Sequence, residues 1–120
     1  MGMIIAFYAV PPGAVIEPAN ALGVAARCRQ VASISVNSRA VGDVLTAFSS
    51  TLLAPLVGDA DVVARTVHIP RGDFGIAVLH AAMLRAQLPA DDALCGVSET
   101  IDEAVAEAQR CQTDLLVTAQ

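Results

Sequence analysis

Two arginines stand where they could hold an anion. Arg39 follows Asn37 and Ser38, and Arg71 precedes Gly72 and Asp73. Asparagine, serine and aspartate cap helices, so each arginine is expected beside a helix N-terminus. Unpaired helix N–H groups and a guanidinium together attract phosphate or carboxylate. Gly72 would let a ligand approach the backbone closely. His68, just upstream of Arg71, and Ser98, in the loop expected before the last helix, complete the candidate ligand-binding set. That set is Asn37, Ser38, Arg39, His68, Arg71, Gly72 and Ser98. Asp73 works against the anion, because its carboxylate occupies part of the same positive field.

Other chemistries find little support. His68 lies in an expected strand and His80 in an expected helix, with no HxxxH, HExxH or CxxC to make a metal site. Cys28, Cys95 and Cys111 are scattered and odd in number, as reduced, buried thiols would be. Neither GxGxxG nor GxxxxGK[ST] occurs, so the usual dinucleotide and P-loop cradles are missing. No GxSxG elbow surrounds Ser98. Arg71, Gly72 and Asp73 spell RGD, which reads here as a turn and a cap. No cofactor or metal is expected, and no catalytic residue can be named.

Composition narrows the partners. The net charge is −5 and every cationic residue is an arginine. An acidic chain without a basic run is poorly suited to follow a phosphate backbone, so nucleic acid is not expected as a partner. No apolar stretch approaches spanning length and none has the flanks of a signal segment. The expectation is a cytoplasmic protein away from the membrane, and arginine in place of lysine points to a GC-rich, bacterial source. Hydrophobic residues make up 55% of the 120 residues and aromatic ones only 3%. That is more apolar surface than one small domain hides easily, and homo-oligomerisation would cover it.

These residues need a scaffold. Met3–Val10 is continuous, apolar and closed by Pro11, Pro12 and Gly13, as a buried strand would be. Pro18 suits the first turn of a helix over residues 19–29. Residues 31–36 alternate and are β-branched, so they read as a second strand. Asn37 and Ser38 would cap a helix from about Arg39, ended by Pro55 and Gly58. Residues 61–69 read as a third strand, at an edge or a subunit contact. Asp73 would cap a helix over 74–88, with Ile76, Leu79, Met83 and Leu84 as its buried stripe, closed by Pro89. Residues 93–97 read as a short fourth strand. Thr100 and Glu103 match the capping-box spacing for a helix over 101–111. Residues 114–118 read as the last strand.

Five strands alternating with four helices imply βαβ crossovers and a parallel sheet. The expected fold is therefore α/β: a single three-layer domain over residues 3–120, with a mostly parallel five-stranded sheet of flavodoxin or receiver type. A ferredoxin-like α+β sheet is the alternative. In a parallel sheet the candidate loops would gather at the carboxyl ends of the strands.

The stretch from Thr66 to Gln120, with GVSETIDEAVAEAQRCQTDLLV, resembles the opening of a response-regulator receiver domain in its strand and helix rhythm. The acidic pair of that family is replaced by Ile69, Pro70 and Arg71, and its phospho-acceptor position falls near Thr118 and Ala119. The resemblance therefore implies the fold without the phosphotransfer chemistry.

The functional expectation is a non-catalytic regulatory or protein-interaction module that oligomerises and could sense a small anionic ligand. The alternative is a small oligomeric enzyme with an inter-subunit active site acting on an anionic metabolite.

Overall fold

Among the described residues four strands form one sheet in the order β2-β1-β4-β3, and every neighbouring pair runs antiparallel. The computed structural model describes residues 2–17, 20–49, 51–56, 65–86 and 92–120. The strands are β1 (Met3–Val10), β2 (Arg29–Val36), β3 (Arg65–Ile69) and β4 (Asp114–Ala119). The α-helices are α1 (Ala21–Arg27), α2 (Val41–Phe48), α3 (Phe74–Ala86) and α4 (Asp92–Cys111). Short 3-10 turns at Ala54–Leu56 and Arg71–Asp73 follow α2 and precede α3. Pro18, Gly58, Pro89, residues 61–64 of the expected third strand and residues 87–88 of the expected third helix lie outside the described residues.

The parallel five-stranded sheet is corrected to an antiparallel four-stranded one, a layout compatible with the α+β alternative. The misreading has one main source. Residues 93–97 are helical and belong to α4, which runs unbroken for 20 residues. With two helices between β3 and β4, the chain goes out and back, so β4 returns antiparallel beside β3. A strand there would turn one excursion into two parallel crossovers. The capping-box signal misled as well, because Thr100 Oγ1 instead donates back to the Gly96 carbonyl at 2.8 Å inside the helix. At the other end, α1 has seven residues and rises roughly 10 Å. That is too short to span β1, at roughly 25 Å, so β2 also comes back antiparallel.

Strand alternation sorts the core. Met3, Ile5 and Phe7 point to the face that α2, α3 and α4 cover, together with Val67, Ile69, Leu115 and Val117. Val10 and Leu116 point to the other face, where Ala21 and Ala25 of α1 pack on them. Helix α4 crosses β2 at Gly96, where a Cβ would lie 2.8 Å from Cδ1, the movable end of the Ile34 side chain. Gln112, at φ 57°, turns the chain out of α4, and the Thr113 N–H closes the helix end on the Ala108 carbonyl at 3.0 Å.

The helix α3 departs from its expected orientation. Of Ile76, Leu79, Met83 and Leu84, only Leu84 is buried; Phe74, Ala77 and Ala81 join it. Ile76, Leu79 and Met83 face outward at 46%, 60% and 41% exposure. The helix is apolar around nearly its whole circumference, with His80 and Arg85 as its only polar residues. Periodicity therefore could not choose its inner face. Packing chose the alanine side, which lets α3 lie close against α4.

Candidate functional site

Where β3 ends and β4 begins, three residues converge. His68 and Asp114 lie on adjacent strands, on the face opposite the three-helix layer. His68 Nε2 is 3.1 Å from Asp114 Oδ2, and the Arg71 backbone N–H donates to Asp114 Oδ1 at 3.0 Å. Asp114 is 7% exposed, whereas the His68 side chain keeps 30% of its surface. The buried carboxylate therefore has its acceptor capacity used on both oxygens. It orients the imidazole and holds the turn that starts α3. That carboxylate takes the backbone N–H of Arg71, the donor an anion was expected to claim.

The remaining candidates are dispersed. Asn37 Oδ1 accepts from the Arg39 and Ala40 N–H groups at 3.1 and 3.0 Å. It caps the turn before α2, and the helix itself starts at Val41. Asn37, Arg39, Ala40 and Asp43 line a shallow surface hollow of about 260 Å³. Asp43 sets a negative charge against the arginine there. Val36 pairs with Met3, at the start of β1, whereas Ile69 pairs with Leu115, near the end of β1. Arg39 and Arg71 thus follow opposite edges and opposite ends of the sheet, on the order of 25 Å apart by strand spacing. Antiparallel pairing is the cause, since it sends successive strand ends to alternate sides. Arg71 and Gly72 are exposed.

Ser98 lies within α4, fully buried, and its Oγ has no hydrogen-bond partner among the described residues. That is an unpaired hydroxyl in a packed core. Ser98→Ala is expected to raise stability by about 1–2 kcal/mol, from removing an unsatisfied buried hydroxyl and restoring helix propensity. A urea unfolding series reads this directly. A lower midpoint for the alanine variant would mean that the hydroxyl is paired and useful in solution.

Spacing did not reveal a second polar cluster. On the surface, Glu107 of α4 accepts from Arg29 of β2 at 2.8 Å and also from Arg110. The two guanidinium bonds, that of Arg110 first, pull its carboxyl down to about 2. A depressed carboxyl contributes above its ordinary range and loses that contribution as pH falls toward 2. Arg29 also reaches Cys111 Sγ at 3.1 Å. A groove of about 350 Å³ lies here, with Glu103 on its wall. Two cations and two carboxylates largely neutralise one another, so it has no strong preference for an anion. The link from residue 29 to residue 107 joins distant parts of the chain, and local patterns hold no signal for it.

His80 is also occupied: its Nδ1 accepts the Leu52 N–H at 3.0 Å, tying the segment after α2 to α3. Arg85 reaches Asp102 at 3.2 Å between α3 and α4. Among the described residues no group of His, Cys, Asp and Glu could hold a metal ion. No helix among them is long and apolar enough to cross a membrane.

The outward face of α3 is different in kind. Gly72 and Gly75, with Ile76, Leu79, Ala82, Met83 and Ala86, are all exposed and none is charged. Scattered exposed apolar side chains are ordinary on a protein surface, but here three large ones share one helix face. Comparison with family models, with curated proteins and with solved structures finds no match to this chain.

Proposed function

We propose that this chain is a non-catalytic protein-interaction module that oligomerises through the outer face of α3. One observation carries the reading: Ile76, Leu79 and Met83 stand in water on one uncharged helix face. A helix apolar all round belongs in an interior, and an interface supplies the missing half. The polar groups fit the same reading, because His68, His80, Asp114, Arg29, Arg85 and Arg110 are engaged in contacts within the chain.

Sedimentation equilibrium tests it. The wild-type chain is expected to form a species larger than 12.3 kDa at micromolar concentration. Leu79→Asp is expected to weaken that association at least about 30-fold, the loss typical of a central contact worth 2 kcal/mol. Leu79 is 60% exposed, so the substitution leaves the fold intact. A 12.3 kDa particle at ~100 µM, well above a micromolar dissociation constant, would overturn the proposal.

An enzyme acting on an anionic metabolite between subunits is the second reading. It rests on His68, whose ring is part-exposed and oriented by Asp114 as a general base would be.

A further inference from the structure

We infer that the partner of the α3 face is the same face of a second copy, the two helices lying antiparallel about a two-fold axis at Leu79. This rests on the oligomerising reading and adds the occupant and its geometry. Ile76, Leu79 and Met83 follow the spacing i, i+3, i+7, which is nearly symmetric about its middle member. Reversed and laid on itself, the stripe sets Ile76 of one copy beside Met83 of the other. It does so twice, with Leu79 beside its own symmetry mate. A surface that matches itself this way is what a two-fold dimer requires.

Two further observations are compatible with a like partner. The chain carries a net charge of −5, and this face holds none of it, so the repulsion between two copies is not concentrated where they would meet. An acidic or basic partner would find nothing on it to pair with and would lose hydration on docking. Beside the stripe, a Cβ on Gly72 or Gly75 would meet nothing within 4 Å among the described residues. Gly75, within α3, disfavours the helix relative to alanine. Small residues at 72, 75, 82 and 86 instead leave room for a second backbone to come close. A 13-residue helix is about 20 Å long and presents less than the ~800 Å² per partner of a standard interface. The dimer is therefore expected to dissociate in the micromolar range.

Cysteine cross-linking tests the geometry on the full chain, with the bonded peptides mapped by mass to set aside Cys28, Cys95 and Cys111. Leu79→Cys is expected to form a disulfide dimer under mild oxidation. Ile76→Cys alone is not expected to do so, because its two copies would be separated along the axis by roughly 10 Å of helix rise. A mixture of Ile76→Cys and Met83→Cys is expected to link. Ile76→Cys linking to itself would mean parallel helices and overturn the inference. A chain that oligomerises in sedimentation while Leu79→Cys stays unlinked also overturns it, yet leaves the oligomerising reading in place. A chain monomeric at every concentration removes both and assigns the face to a different protein.

Discussion

Phe7→Ala is expected to lower the unfolding free energy by about 3–5 kcal/mol, the usual cost of deleting a buried phenylalanine. Phe7 is fully buried in a central strand, paired with Ala32 on one side and Val117 on the other. Its ring points into the layer that α2, α3 and α4 close. A packed core relaxes only partly around such a deletion and leaves a cavity. A domain of this size has only about 5–15 kcal/mol in total, so the variant should be close to unfolding at 37 °C. Ile4→Ala is the control. Ile4 lies in the same strand but is 53% exposed, and its truncation should cost under ~1 kcal/mol. Urea denaturation of both variants reads the difference. The reverse order, with Ile4→Ala the costlier variant, would mean that β1 is rotated by one residue, since a one-residue slip exchanges the two faces.

The second large effect is expected at Asp114. Asp114→Ala should cost about 2–4 kcal/mol, because it strands the Arg71 N–H and the His68 ring beside a buried position. Asp114→Asn should cost about 1 kcal/mol, since its carbonyl can still accept from Arg71 and its amide can donate to an unprotonated His68 Nε2. The ordering tests the role more sharply than either value. It follows from a carboxylate that acts as a double acceptor holding the start of α3. Hydrogen exchange at the first turn of α3 should rise in the alanine variant and stay near wild type in the asparagine variant. Equal destabilisation by both would show that the negative charge, and not the hydrogen-bonding pattern, is what matters.

The strands at residues 3–10, 31–36 and 114–118 were legible because each is a short apolar or β-branched run bounded by turn residues. That helices lie near residues 19–29, 39–53, 74–88 and 101–111 was legible, but their starts and inner faces were not: α4 begins at Asp92, before the Thr100 capping box, and α3 buries Leu84 alone of its expected stripe. At residues 93–97 the helical signal is present in the sequence: Leu94, Val97, Ser98, Ile101, Val105 and Ala108 continue one helical stripe through Gly96. A glycine and a Ser/Thr pair looked like a boundary, but the apolar period does not break there. That one element decides how β3 and β4 meet, since two helices between them carry the chain out and back, whereas the β1–β2 pairing goes with the short α1.

The candidate site shows a different division. Arg39 and Arg71 were recognised as loop residues beside helix starts, and both follow strand ends. Their separation depends on strand order, which no local pattern encodes. Asp114 was placed correctly at the head of the last strand, yet its partners lie 46 and 43 residues away in sequence. Only the β3–β4 pairing brings them together. The amino-acid pattern of α3 specified a helix, and the apolar fraction of the whole chain raised the expectation of an oligomer. Which side of that helix faces water was settled by packing: Ala77 and Ala81 let it lie closer to α4 than its larger residues would. That choice left Leu79 and its neighbours outside.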